Sequence, residues 1–415
     1  MKIGMIMHEL LVEGGGERQC VSLARELVHQ GHSVTLYTSA YDRQRCFPEV
    51  CRDLTIVDVG RGRFRWLSKP RLLRAYLDMR RLERAVTEPF PVWNPHHWPA
   101  EWGAVRLKKK LGGAVVWTCN DVPELYAQAQ PGRSGFLRRL FYRLAYSYDR
   151  AQARKMDLTV FLSRWAEGEF KAIYPVPTAV VRSGADPDKF RPGGDGTKVR
   201  GRFAYSSDDL VLLWLGIFMP HRRLQDAIEA VALLKERGRK VKLLLAGSGD
   251  TFPEYFAQLQ SLVAQRQLAG EVTFAGKVAD EEISDFYSAC DAFLFPNENQ
   301  TWGLAVLEAM ACGRPVLVSQ GAAIHEILTD GKDALLFPAR DPAALALKIE
   351  TLLADPQERA KIAAAGLQLI RTEYNWRRFA EKMADVFEQV AGAHAAERLD
   401  IRGTGESSTV NSTVR

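Results

Sequence analysis

Short apolar runs alternate along this chain with longer stretches in which apolar positions recur every three or four residues. Residues 2–7 form the first run. The glycine loop Gly14-Gly15-Gly16 then precedes a helix over 17–30 with Val21, Ala24, Leu27 and Val28 on its apolar face. Gly31 stops that helix before a second strand at 33–38. Runs at 54–59, 92–94, 115–118, 159–162 and 179–181 continue the strand pattern. After Phe190 the chain turns polar and glycine-rich (Arg191-Pro192-Gly193-Gly194-Asp195-Gly196), which reads as an interdomain linker. The alternation then restarts, with strands at 211–215, 241–246, 272–275, 292–295 and 315–319 and helices near 225–237, 251–265, 280–289 and 304–312. Thr251 and Glu254 read as a capping box, with Pro253 in the first turn.

Two successive βαβ arrays predict an α/β protein of two doubly wound, Rossmann-like domains facing across a cleft. The expected division is 1–190 for the first domain and 191–374 for the second. An amphipathic helix over 375–390 is expected to pack back on the first domain, and 391–415, small, polar and aperiodic, to be a disordered tail. A chain of 415 residues suits two such cores, and 47% apolar with 26% charged residues is ordinary globular composition. No apolar run reaches the roughly 18 residues of a membrane span. The first strand begins at once, so no cleavable signal peptide is expected. The six cysteines are scattered, and Cys46 and Cys51 lack metal-ligand spacing, which fits a reduced, cytoplasmic protein.

Residues 295–338 carry the most chemistry. A short apolar strand runs into a polar loop, a helix follows from about Leu304 and closes at Cys312-Gly313, and a second buried strand comes next. That order places backbone N–H groups and a positive helix end at a strand's carboxyl edge, where open α/β sheets bind phosphorylated ligands. Glu308 sits about one turn into the helix, in reach of such a ligand; a buried helix with one solvated glutamate is the plainer reading.

Phe295-Pro296, Gly303-Leu304, Glu308-Ala309-Met310-Ala311-Cys312-Gly313, Pro315-Val316, Glu326 and Asp330-Gly331 resemble the donor-site signature of family-4 glycosyltransferases of the GT-B fold. The resemblance extends over residues 1–390. It implies a retaining glycosyltransferase of hexosyltransferase type that moves a sugar from a nucleotide-diphosphate sugar, UDP or GDP, with no cofactor and no metal. Backbone dipoles and basic side chains must then carry the leaving charge. By the same resemblance Glu308 would bind the ribose hydroxyls, and Thr301, Trp302, Gly303 and Leu304 would contact sugar and phosphate through the backbone. The family's first glutamate, eight positions earlier, is Gln300 here.

The resemblance implies a second phosphate loop that opens at Gly216. Ile217 stands where relatives have arginine, and Arg222 where they have lysine; one guanidinium can grip phosphate bidentately. Gly14, Gly15, Gly16 and Glu17 resemble the family's first glycine loop, which faces the diphosphate and acceptor. His96 falls at the position of a histidine near the reaction centre, and Asn120-Asp121 where relatives often have histidine-aspartate. Gly247, Lys277 and Val278 match loops beside the nucleobase. Ser183-Gly184-Ala185-Asp186 resembles a family turn, and Asp186 with Asp188 is not expected to bind metal. His96, Arg222, Gln300 and Glu308 are thus the catalytic candidates.

The net charge of +6 is modest, yet basic residues cluster in the first domain. Arg61, Arg63, Arg65, Lys69, Arg71, Arg74, Arg80, Arg81 and Arg84 interleave with Phe64, Trp66 and Leu67, and Arg138, Arg139 and Arg143 with Phe136, Leu137, Phe141 and Tyr142. Cations among aromatics suit an anionic membrane surface and a saccharide or lipid-linked acceptor of envelope polysaccharide or glycolipid synthesis; a solvated helix face is the other reading. No nucleic-acid-binding module is present. Ile217, Gln300 and Asn120 keep open a non-catalytic nucleotide-sugar-binding subunit, and the shared fold an epimerase.

Overall fold

The structure, a computed structural model, describes residues 1–61, 71–120, 136–174 and 176–406. The chain divides into two compact units, Met1–Arg182 with Phe379–Arg415, and Ser183–Arg378.

The first unit is built on strands β1 (Lys2–Met7), β2 (Ser33–Thr38), β3 (Thr55–Asp58), β4 (Val92–His96), β5 (Ala114–Thr118), β6 (Leu158–Phe161) and β7 (Thr178–Val180). All pair in parallel, in the order β3-β2-β1-β4-β5-β6-β7. The central strands β4 and β5 are buried at every position, as a parallel sheet covered on both faces requires. Trp93 and Trp117 fill the core beside Met79, Leu82 and Phe170.

The second unit repeats the plan with β8 (Leu210–Leu215), β9 (Val241–Ala246), β10 (Val272–Gly276), β11 (Ala292–Phe295), β12 (Val316–Ser319) and β13 (Leu335–Phe337), ordered β10-β9-β8-β11-β12-β13 and again parallel. Trp214, Leu243, Leu245 and Leu294 lie in its core. In each sheet the order reverses beside the first strand, between β1 and β4 and between β8 and β11. Such a reversal opens a crevice at the carboxyl ends of the strands.

Four details depart from the sequence reading. The units divide at Arg182/Ser183, before the glycine-rich stretch, because 183–196 is already tied into the second unit. Ala185 donates its N–H to Tyr374 O at 3.0 Å, Phe190 meets Tyr287 edge-on, Lys189 pairs with Asp280, and Gly194 and Gly196 lie against Ser288. The expected capping box is absent: Phe252 is the N-cap of helix Pro253–Gln265, with no side-chain cap. The last helix spans Trp376–Glu406 rather than stopping at 390, since the alanines at 391–396 favour helix without needing an apolar stripe. Strand β13 (Leu335–Phe337) was not among the strands expected from the sequence.

Candidate functional site

In the second unit the reversal point is walled by two loops. The loop after β11 begins at Pro296, and Asn297 accepts from Trp214 Nε1 at 3.3 Å, which ties it to β8. Glu298 donates its N–H to His221 O at 2.9 Å, tying it also to the 3-10 turn Pro220–Arg222. The Glu298 carboxylate is gripped by Arg340, with Nη2 to Oε1 at 3.1 Å. That acid therefore anchors the loop and does not stand in for the glutamate missing at 300. Asn299 takes a left-handed φ of 50°, and Gln300 bridges to Ala322.

Helix Leu304–Ala311 begins at Gly303, which supplies no side-chain cap. Val306 and Leu307 both donate to Gly303 O, at 3.0 and 3.3 Å, so the helix end presents the Leu304 and Ala305 N–H groups to a ligand. Thr301, Trp302 and Gly303 are buried and Leu304 half-buried. Among the described residues Asn297 Nδ2, Gln300 Oε1 and Trp302 Nε1 are buried without hydrogen-bond partners. Three such atoms around one loop are polar groups that a ligand can meet, and leaving each unmet costs about 1–3 kcal/mol. Asn297 was not among the residues singled out by sequence.

Glu308 is more enclosed than a solvated helix glutamate. It is 6% exposed, and its Oε2 accepts from the Tyr287 hydroxyl at 2.9 Å. Tyr287 lies in helix Ile283–Ala289 and is itself fully buried. The phenol fixes the carboxylate's rotamer from behind, a partnership across 21 residues that no local spacing reveals.

Opposite, after β8, Ile217 is half exposed and offers no charge. Arg223, in a left-handed turn at φ 52°, is held by Asp226 through two bonds of 2.9 Å, and its neighbour Arg222 is half-buried. Gly216, Gly247 and Gly276 stack at the ends of β8, β9 and β10: Gly216 donates to Ala246 O and Gly247 to Gly276 O, at 2.9 and 2.7 Å. A Cβ on Gly247, at φ 145°, would fall 1.6 Å from Gly216 O, so only glycine lets these turns close. Lys277 is exposed and Val278 half-buried just beyond β10.

In the first unit the structure replaces one candidate by its neighbour. His96 is the last residue of β4, opposite Met7 and Thr118, and is fully buried. Its Nε2 lies 2.7 Å from Asn94 Oδ1, and burial, then the neighbouring His97, lower its pKa to about 3. A ring so enclosed is a neutral core group and does not meet a substrate. Alternate strand residues point to opposite sides, so one step moves the ring from core to edge. His97 makes that step. It adopts a left-handed φ of 56°, a strained conformation for histidine, and its Nε2 is 3.2 Å from Asn120 Nδ2. A Cβ on Gly16 would fall 1.9 Å from that Nε2, so the glycine loop lies directly against the ring. Gly16, His97 and Asn120 thus meet at the β1/β4 reversal, with Gly15 opening helix Gly15–His29. Asp121 lies outside the described residues.

Asp186 accepts from the backbone N–H of Asp188 and Lys189, making a local turn. All six cysteines are free and buried. Several arginines of the first basic cluster are structural: Arg61 and Arg74 both bind Glu9, at 2.8 and 2.9 Å, and Arg81 donates to the Val59 carbonyl. Residues 62–70, with Arg63, Phe64, Arg65, Trp66, Leu67 and Lys69, lie outside the described residues. On helix Phe136–Ala153, Leu140 and Leu144 are exposed alongside Arg143.

Comparison with known proteins agrees with this geometry. The family model described as Glycosyltransferase Family 4 matches residues 13–189, and that described as Glycosyl transferases group 1 matches residues 197–369, so each falls almost wholly in one unit and together they span most of the chain. The chain belongs to the family-4 glycosyltransferases. This glycosyltransferase is 28% identical to D-inositol 3-phosphate glycosyltransferase of Geodermatophilus obscurus, over 92% of this chain and 86% of that protein. Its fold is that of GT-B enzymes. Sucrose-phosphate synthase of Thermosynechococcus elongatus superposes with a TM-score of 0.76 at 21% identity, covering 94% of this chain and 99% of that one. The Anabaena protein HepE, solved with UDP and glucose, superposes at 0.74 with 17% identity, over 94% and 99%. No helix among the described residues is long and apolar enough to cross a membrane.

Proposed function

We propose that this glycosyltransferase transfers a hexose from a UDP or GDP sugar, with retention and without a metal, to a saccharide or lipid-linked acceptor of envelope polysaccharide or glycolipid synthesis. The observation that carries the reading is the β8/β11 reversal point, where the loop that leads into the uncapped helix bearing Glu308 is tied to the turn that bears Arg222. The helix end and Arg222 hold the diphosphate, and Glu308, steadied by Tyr287, takes the ribose hydroxyls. UDP in HepE supports the donor class. Gln300 and Asn297 offer neutral donors and acceptors to sugar hydroxyls. In the first unit His97, at the β1/β4 reversal, takes the place of His96 as the candidate histidine.

In the front-face route the bond between the anomeric carbon and the phosphate oxygen breaks as the acceptor oxygen bonds to the same face of that carbon. The acceptor proton passes to the departing phosphate oxygen, so no carboxylate nucleophile is needed. Charge compensation comes from the helix dipole and Arg222, so activity should survive EDTA. Among the described residues the one grouping with metal-ligand spacing is His8, Glu9 and Asp78, and Glu9 there is already bound by two arginines.

Thermal-shift screening against UDP, GDP and ADP sugars tests the donor, and the anomeric configuration of the product tests retention. No stabilisation by any of the three overturns the donor assignment, and an inverted product overturns the route. Ile217 and Gln300 favour one other reading, a non-catalytic nucleotide-sugar-binding subunit; nucleotide release that depends on added acceptor excludes it. The membrane element rests on Arg138, Arg139 and Arg143 with exposed Leu140 and Leu144. Reversing those three charges should reduce co-sedimentation with anionic liposomes at low salt, by about 1 kcal/mol per cation. If the wild type ignores such liposomes, the acceptor is soluble.

A further inference from the structure

A second binding site is suggested far from the carboxyl edges. Helix Ala100–Leu111 starts just past His97 and ends just before β5, so over its ~18 Å length it runs from one edge of the first sheet to the other. At its far end lies a cavity of about 700 Å³ lined by Val105, Arg106, Lys108, Lys109, Gly112, Tyr148, Gln152, Lys155 and His394. Its size is in the range of small-molecule pockets. Every lining residue belongs to the first unit, and none is part of the candidate site described above.

The charges of this cavity do not cancel. Lys108 is held by Asp157 at 2.7 and 2.8 Å, and Asp157 also accepts from the Val115 N–H and faces His394 Nδ1 at 3.4 Å. Arg106 donates to the Tyr148 hydroxyl at 2.8 Å, stacks over Tyr76 and lies 3.5 Å from Glu83. Four cations therefore face two carboxylates, and among the described residues neither Lys109 nor Lys155 has an ion-pair partner for its ammonium.

Lysines in the last turn of a helix offset its dipole, which would explain Lys109 but not Lys155, beyond the end of a different helix. Lys110 already serves a structural role, donating to the Glu83 and Val86 carbonyls that close the neighbouring helix. The Tyr148 oxygen accepts from Arg106, so its hydroxyl hydrogen remains to be given, and Val105 and Gly112 offer an apolar wall.

We propose that this cavity binds a phosphorylated small molecule carrying at least two negative charges, gripped by Lys109 and Lys155 with Arg106 and Tyr148 beneath. The experiment is calorimetric titration of the full chain with inorganic pyrophosphate while UDP saturates the donor site. Binding of one equivalent is expected. Lys109→Ala with Lys155→Ala should weaken it at least tenfold, the double arginine variant should retain it, and Arg222→Ala should leave it unchanged. Dihexanoyl phosphatidic acid in parallel distinguishes a lipid headgroup, if it binds more tightly than pyrophosphate, from a free phosphate. Absence of binding, equal binding by the double alanine variant, or loss in Arg222→Ala overturns the proposal. The last outcome assigns the pyrophosphate to the donor loop, so failure here leaves the donor reading separately testable.

Discussion

At the β8/β11 reversal the loop, the helix end and the carboxylate come from one continuous stretch, 296–308, whereas at the β1/β4 reversal Gly16, His97 and Asn120 come from three strand ends scattered over a hundred positions. Apart from the seventh strand of the first sheet, the strand order and its reversal are the same in both units. What differs is how much is fixed by neighbours in sequence. In the second unit a helix period sets the interval from Gly303 to Glu308, and misreading one residue would break the helix end itself. In the first unit the important side chain hangs on strand alternation, where a shift by one residue exchanges a core group for an edge group.

Exchanging the two histidines tests that contrast most sharply. His97→Ala should lower kcat/KM by roughly a hundredfold, as losing one well-placed hydrogen-bonding group does, with little change in melting temperature. His96→Ala should do the reverse at first order, costing about 1–3 kcal/mol of stability by leaving Asn94 Oδ1 without its partner in the core. Parallel kcat/KM and urea-denaturation measurements decide it. If His96→Ala abolishes turnover in a protein of wild-type stability, the edge assignment is wrong.

Next in size is Glu308→Gln. The amide oxygen can still accept from Tyr287, so the fold should hold, while loss of a charged acceptor should weaken nucleotide binding by on the order of 1.5–3 kcal/mol, about tenfold to a hundredfold in Kd. Unchanged UDP affinity by calorimetry would refute the ribose role. Gln300→Glu should act more mildly. It puts a charge on a side chain whose oxygen is buried and unmet, so relative kcat/KM across donor sugars should shift more than stability does. Collapse of both would mean that the loop is packed around a neutral amide for structural reasons alone.

These contrasts explain what was legible in the sequence. Twelve of the thirteen strands among the described residues stood out as apolar runs, most plainly the central ones, because parallel strands covered on both faces are apolar at nearly every position. The loop at 296–308 was legible because its parts are adjacent. Tyr287 behind Glu308, Asn297 beneath Trp214 and His97 against Gly16 were not, since each depends on a tertiary contact. The unit boundary was misplaced for a related reason: glycine and proline at 191–196 signal a turn, but Phe190 and Ala185 had already committed the chain to the second core. The arginines around 61–84 looked like one surface, yet Arg61, Arg74 and Arg81 are used inside the unit.

The smallest expected effect lies just beyond His97, in the first turn of helix Ala100–Leu111. Glu101 is buried, and burial first, then the adjacent Asp149, push its carboxyl well above the usual range. Asp149 is raised mainly by burial, while Trp102 Nε1, at 2.8 Å, and the Tyr174 hydroxyl pull it back. Glu101 therefore keeps its proton in the folded protein at pH values where the unfolded chain releases it. Below about pH 4.5, the ordinary glutamate value, both states hold the proton and nothing is lost. As pH rises above that value the unfolded state gains by ionising, so stability falls until the folded carboxyl ionises too. Glu101→Gln removes the titration and keeps the shape, so the variant's stability relative to wild type should rise as pH increases above about 4.5 in chemical denaturation. Because Glu101 lies in the core behind the edge residue His97, kcat/KM at a fixed pH should change little. A stability difference that is flat with pH would mean that Glu101 is ionised in the fold and paired in a way that the burial argument does not capture.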